Sequence, residues 1–306
     1  MRILSIGDEV RNGTYQLHSC FRHAVNFTDG RRLITLVTPD VGAGPVNIVV
    51  GDLTPFDREL VPGFPRTPTP PSQDRVQFKP SSGCACPDTA PRSSTRSLRV
   101  DRYSFVFANR RLLLSATQSY GSLLHIEKET SRGVFRTNLK IVEEILAVES
   151  HPKSLAFLLD ARRERHFRTA FDRAFVAHMK DGTARMFTAS GARKLAGCGL
   201  GLTPSGDDFI AGMLIGLNVV RLLTGQSRRT LAKRLLAAAE GDNLLSNSFL
   251  ELAHDGRVTE HMQAFVSALS RSPSAELALK TRRIMAAGET SGADLLTGFV
   301  MTVKRY

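Results

Sequence analysis

One string of residues occurs twice in this chain. It reads Ser205-Gly206-Asp207-Asp208-Phe209-Ile210-Ala211-Gly212 and returns, 86 residues later, as Ser291-Gly292-Ala293-Asp294-Leu295-Leu296-Thr297-Gly298. Each copy is Ser-Gly-x-Asp, two apolar residues, a variable position and Gly, with a Thr just upstream, Thr203 or Thr290. A Ser followed three residues later by an acid, ahead of an apolar run, is the signature of a helix N-terminus. There the hydroxyl and carboxylate satisfy backbone N–H groups that lack an intrahelical partner. Two helices are therefore predicted to begin alike. Helix N-termini carry partial positive charge and free donors, so two aimed at one point would hold a phosphate or carboxylate. The plainer alternative is a pair of capping boxes with no ligand.

The remaining patterns predict an α+β chain: a β-rich N-terminal part, residues 1–137, then a mainly α-helical bundle, residues 138–306, that carries both motifs. Val25–Phe27 and Leu33–Val37 flank Thr28-Asp29-Gly30, a hairpin signal because Asp-Gly tolerates the positive φ such turns need. Further strands are predicted at Val46–Val50, Tyr103–Phe107 and Arg111–Ser115. Between them the composition shifts to Pro, Ser, Thr and Arg over 61–97, including Pro68-Thr69-Pro70-Pro71, which reads as a long loop. Apolar spacing and stop signals predict helices at Ile141–Glu149, Ser154–Lys180, Asp207–Leu223, Arg228–Glu240, Leu244–His254 and Val258–Leu269. Another should run from Pro273 to Ala287, and the last from Ser291. The Asp207–Leu223 helix is apolar on nearly every side, which places it at the centre of the bundle, with Gly212 and Gly216 admitting a neighbouring backbone.

Composition excludes several classes. With 306 residues, 42% of them hydrophobic, the chain can bury a sizeable core. A net charge of +12 suits a nucleic-acid partner, yet the basic residues are spread from Arg2 to Arg305, and four Tyr with no Trp offer few stacking platforms. Attraction to small anions or to an acidic partner protein accounts for the charge equally well. Cys20, Cys84, Cys86 and Cys198 fit neither a disulfide scaffold nor a four-ligand zinc site, and Cys84-Ala85-Cys86 falls in the Pro/Ser-rich stretch. The longest nearly apolar run, Phe209–Val220, has 12 residues, short of the about 20 that span a bilayer. The start, Met1-Arg2-Ile3-Leu4-Ser5-Ile6-Gly7, lacks the apolar stretch of a signal peptide. A cytoplasmic, reduced protein without membrane attachment is expected.

The candidate site gathers around the repeats. Gly199, Gly201 and Gly206, with Thr203 and Ser205, could turn backbone N–H groups toward a ligand, although no Lys follows as in a P-loop. Asp208 has the position of a capping carboxylate. Asp207 has no such duty; because it would repel an anion, its expected partner is an amide N–H, an Arg or Lys, or a metal. One Asp does not make a metal site, and no metal or other cofactor is expected. In the second copy Thr290, Ser291, Gly292 and Asp294 correspond, with Ala293 in place of Asp207. Ser246 and Ser248, at the start of another helix, could hydrogen-bond a ligand or simply satisfy backbone carbonyls. No HExxH pattern and no GxSxG elbow is present, so neither a zinc protease nor a serine hydrolase of those types is supported.

Gly199-Leu200-Gly201-Leu202-Thr203-Pro204-Ser205-Gly206-Asp207-Asp208 with Gly212, and Gly288-Glu289-Thr290-Ser291-Gly292-Ala293-Asp294 with Gly298, closely resemble the two signature motifs of the AllH family. Ser246-Asn247-Ser248-Phe249-Leu250, followed by Ala253 and Gly256, is similar to a further segment of it. The resemblance covers 197–303 well and the N-terminal part loosely. This family, long known only as a domain of unknown function, includes the third subunit type of oxamate carbamoyltransferase. The resemblance implies a carbamoyltransferase subunit that turns oxalurate and phosphate into oxamate and carbamoyl phosphate in purine or allantoin-type nitrogen catabolism. It implies two other subunit types as partners, one resembling the CoA-ligase α-subunit family. Asp207, which is free of a capping duty and able to accept an amide N–H, is the catalytic candidate. The Pro-rich insertion and the strong positive charge depart from the family pattern. The competing readings are a non-catalytic scaffold subunit of a related complex and a nucleic-acid-binding protein.

Overall fold

The computed structural model describes residues 2–51, 53, 97–107, 110–114, 117–126, 131–271 and 275–306. The Pro/Ser-rich segment apart from Ser97 lies outside the described residues, as do Cys84, Cys86 and the turn with Pro273. The fold class is α+β, and the chain divides into two compact units, 1–42 with 46–119, and 43–45 with 120–306.

In the first unit the strands are β1 (Ile3–Gly7), β2 (Gly13–Cys20), β3 (Ala24–Thr28), β4 (Leu33–Val37), β5 (Asn47–Val50), β6 (Ser97–Val100), β7 (Ser104–Phe107) and β8 (Arg110–Leu113). β9 (Gln118–Tyr120) follows at the boundary. The sheet order is β8-β7-β6-β2-β3-β4-β5-β1-β9, with β4 and β5 parallel. The predicted hairpin joins β3 to β4: the Asp29 carboxylate accepts the amides of Arg31 and Arg32 at 2.9 and 2.7 Å, and Gly30 adopts φ 90°. Tyr15, Phe27, Ile34, Leu36, Ile48, Leu98, Phe105 and Phe107 form the core of this unit, with Phe27 and Phe107 edge to face at 5.6 Å.

The second unit holds α1 (Arg132–Glu149), α2 (Ala170–Ala184), α3 (Ala189–Leu195), α4 (Ser205–Thr224), α5 (Arg229–Ala239), α6 (Leu244–His254), α7 (Glu260–Leu269), α8 (Ala275–Met285) and α9 (Ser291–Val303). As expected, α4 is central: from Ser205 to Val220 only Asn218 escapes full burial. The uninterrupted helix expected over Ser154–Lys180 is not formed. Two 3₁₀ turns, Leu155–Leu158 and Ala161–His166, precede α2 instead. Arg163 is the physical reason. Its buried guanidinium donates to the carbonyls of Ala147, Ser150 and His151, at and just beyond the end of α1, and so consumes acceptors a helix terminus leaves open. Asp160 then caps the second turn, and a capping box at Thr169 and Asp172 starts α2 afresh.

α4 and α9 form the tightest helix pair. A Cβ on Gly212 would stand 1.9 Å from the Leu295 carbonyl oxygen, and one on Gly298 would stand 2.0 Å from the Phe209 oxygen. Gly212 and Gly298 are equivalent positions of the repeat, as are Phe209 and Leu295. The contact is therefore reciprocal: each copy's terminal glycine receives the other copy's backbone.

Candidate functional site

The two helix starts converge, and they do not work as capping boxes. Ser205 and Ser291 are the first helical residues; Pro204 and Thr290 occupy the cap positions, and neither makes a side-chain capping bond. Moved one place into the helix, each motif turns its side chains toward the other copy. Thr203 Oγ1 lies 3.2 Å from Ser291 Oγ and donates at 3.2 Å to Asp208 Oδ2, and the Ser291 hydroxyl also favours ionised Asp208. Reciprocally, the Ser205 hydroxyl favours ionised Asp294.

The glycines in the motifs serve packing. The Gly206 amide donates to the Cys198 carbonyl at 2.8 Å, and a Cβ there would meet the Leu195 oxygen at 1.8 Å. In the second copy the Gly292 amide donates to the Ala287 carbonyl at 3.0 Å, and a Cβ would meet the Ile284 oxygen at 1.9 Å. Each helix thus begins pressed against the end of the preceding one. The amides of Gly206 and Gly292 are thereby engaged by carbonyls of the chain itself. Gly199 has φ 118°, and its Cα lies so close to the Ser205 amide that a Cβ would stand 2.6 Å from that nitrogen. This folds the loop carrying Gly201 and the exposed Leu200 and Leu202 over the start of α4.

Three carboxyls form the floor. Asp207 accepts the Gly197 amide at 2.7 Å and has the Ser246 hydroxyl beside it, while Ser246 Oγ has no hydrogen bond of proper geometry. Asp294 is fully buried; its Oδ1 accepts the Leu155 amide at 2.6 Å and its Oδ2 is left without such a bond. Burial pushes the Asp208 carboxyl up to about 8, helped by the charges of Asp294 and Asp207 and opposed by the Ser291 and Thr203 hydroxyls. Burial likewise raises Asp294 to about 7, against the pull of the Leu155 amide and the Ser205 and Thr290 hydroxyls. Asp207 is raised by burial too. Three adjacent acids in so little water titrate as a set, and at neutral pH the set holds protons that isolated carboxylates would have lost. Cys198 beside them stays a thiol, its pKa raised by burial and by the charge of Asp207.

Thr203, Thr290 and Ser291 are half-buried at the rim. Ser248 is turned away, its hydroxyl bonded to the Leu244 carbonyl of its own helix at 2.9 Å. The sequence reading did not single out Leu155, whose amide holds Asp294 from far along the chain, or Asn243. Asn243 caps α6 and donates to the Leu202 carbonyl at 2.7 Å, tying the glycine loop to the helix that carries Ser246. Asn243 was legible as a cap; Leu155 acts through its backbone and leaves no trace in side-chain patterns. Among the described residues no three His, Cys, Asp or Glu side chains are grouped to hold a metal, and no helix is long and apolar enough to cross a membrane.

Such a set can hold hydroxyl and amide groups of a small ligand and move a proton near neutral pH. Two family sequence profiles match the chain. The one described as oxamate carbamoyltransferase subunit AllH covers residues 195–303, and the one described as the AllH family N-terminal domain covers residues 2–80. No solved structure matches.

Proposed function

The chain belongs to the AllH family, and from that premise we propose that it is one subunit of an oxamate carbamoyltransferase-like enzyme of nitrogen catabolism. Two other subunit types complete the enzyme, one resembling the CoA-ligase α-subunit family. The observation that carries this reading is the buried set Asp207, Asp208 and Asp294 beneath a rim of hydroxyls. In the reaction a phosphate oxygen attacks the carbamoyl carbon of oxalurate and the bond from that carbon to the oxamate nitrogen breaks. The nitrogen then takes up the proton that hydrogen phosphate gives up. A carboxyl that titrates near neutral pH suits that transfer, and Asp208, bonded to rim residues Thr203 and Ser291, is our choice for it. Asp207 accepts from an amide N–H of the substrate as it does from Gly197.

The scaffold reading has its own support, since Thr203, Ser205, Ser291 and Asp294 bind one another across the helix pair. Variants of the reconstituted complex separate the two. The chain alone should form negligible carbamoyl phosphate, and the assembled complex should form it. Asp208→Asn and Asp207→Asn, which keep size and remove the exchangeable carboxyl proton, should leave assembly intact and lower kcat by about 100-fold or more. Unchanged turnover in both variants would leave this subunit as scaffold.

A further inference from the structure

At the far end of α4 from the paired motifs lies a cavity of about 610 Å³, lined by Arg221, Ser227, Arg228, Arg229, His254 and Asp255 among others. Three arginines and one acid are among its lining residues, and that acid is engaged, with Asp255 Oδ1 2.8 Å from His254 Nδ1. Helix α5 begins here. Its cap position is Arg228, without a side-chain capping bond, and its first turn holds no acid. Cations at the positive end of a helix destabilise it, and Arg228 and Arg229 add to that end the charge it already has. Arg221 belongs to the last turn of α4, where a cation is favourable, so its place is explained without a ligand. The other two have no such compensation. The Arg228 Nε donor is moreover buried without a hydrogen-bond partner, as is the ring atom His254 Nε2, and buried polar atoms normally find one. Arg228 stacks its guanidinium over the Tyr306 ring at 4.7 Å and spends one NH2 on Gln226, which leaves most of its fork unused.

We propose that this cavity binds a small molecule through a phosphoryl group. A dianion set between Arg221, Arg228 and Arg229 at the start of α5 would neutralise the clustered charge and complement the positive end of the helix, where the Arg229 amide donates only to the Ser227 hydroxyl at 3.4 Å. The volume is within the about 300–1,000 Å³ of small-ligand sites. The 20 residues of α4 put about 30 Å between this cavity and the carboxyl set, so the two sites are distinct and this one does not depend on the activity proposed above.

The test uses the full chain and inorganic phosphate, followed by calorimetry and by thermal shift against chloride at matched ionic strength. Phosphate should bind saturably and raise Tm. Arg221→Gln with Arg229→Gln, both at exposed positions, should weaken its Kd at least about tenfold. Arg193→Gln with Arg173→Gln, an equal charge change elsewhere, should not. As a second variant, Arg229→Glu places the acid that α5 lacks in its first turn; it should raise Tm without phosphate and abolish the response. A phosphate effect no larger than that of chloride, or equal in the cavity and control pairs, would overturn the site. So would a response that survives in the cavity variants and disappears in Ser291→Ala, since that assigns the anion to the paired motifs.

Discussion

Three helices of this protein begin with the same letters, a hydroxyl residue and an acid three places on, and they use them in two ways. At α2, Thr169 and Asp172 make a capping box at the surface: the Thr169 hydroxyl takes the Asp172 amide at 3.0 Å, and the Asp172 carboxylate takes the Thr169 amide at 3.0 Å. At α4 and α9 the glycine after Ser205 or Ser291 lets a preceding helix end press in, the serine becomes the first helical residue, and its side chain leaves its own helix for the other. The acids diverge accordingly. Burial pulls Asp172 upward, but Lys153 and its two bonds with Thr169 outweigh that and hold it below the usual carboxylate range. Burial wins outright at Asp208 and Asp294. A capping signature therefore identifies a helix start without saying whose donors the side chains satisfy; the adjacent glycine decides that.

The most forceful way to break this comparison is at the helix crossing. Gly298→Ala or Gly212→Ala puts a Cβ about 2 Å from a backbone oxygen, so each should cost about 3 kcal/mol or more by forcing α4 and α9 apart. Gly241→Ala, with nothing within 4 Å of its Cβ, should be near neutral. Chemical denaturation measures all three, and equal effects would deny that the reciprocal contact holds the pair.

Proton linkage gives the next largest effect, with opposite signs in the two regions. A carboxyl whose folded pKa is raised contributes stability that is whole below its unfolded value and lost as pH rises to the folded one. For Asp208 that window runs from the ordinary 3.8 to about 8, with a slope of up to about 1.4 kcal/mol per pH unit while one proton separates the folded and unfolded states. Asp208→Asn should therefore gain on the wild type progressively through that window. Asp172, lowered in the folded state, contributes stability that is present above 3.8 and lost as pH falls through its folded value, so Asp172→Asn should be at its greatest disadvantage at neutral pH. Tm against pH for both variants checks the signs, and parallel curves would refute the distinction.

Caps give the smallest effect. Thr169→Ala should cost about 1 kcal/mol. Ser205→Ala, which removes no cap bond, should cost less than about 0.5 kcal/mol at pH 5 and more at pH 8, because its hydroxyl favours only the ionised form of Asp294. Equal losses at pH 5 would restore Ser205 as a cap.

Much of the frame was legible because local chemistry agreed with tertiary structure. Asp29-Gly30 fixed a hairpin, the all-round apolar α4 belonged in the middle, and Gly212 announced a close approach. The 154–180 stretch was misread because Leu155, Leu158, Phe167 and Phe171 repeat at helical spacing, while the interruption comes from Arg163 seeking carbonyls near the end of α1. The strands β1, β2 and β6 are not among those predicted, although Asn12-Gly13 is a turn signal at the start of β2; β6 pairs with β2 across a long span of chain. At the site, the convergence of the two motifs was foreseeable from their likeness. The exchange of partners between them was not, because periodicity cannot tell a capping serine from a first-turn serine.

The crossing of α4 and α9 has the form of an interface between two identical subunits, in which each patch meets its own counterpart. Here both patches lie on one polypeptide, so their meeting does not depend on protein concentration. In a homodimer every substitution enters twice, once on each side of the axis. A single chain is released from that constraint: it carries Asp207 in one copy and Ala293 in the other, keeping a third carboxyl on one side only of an otherwise matched pair.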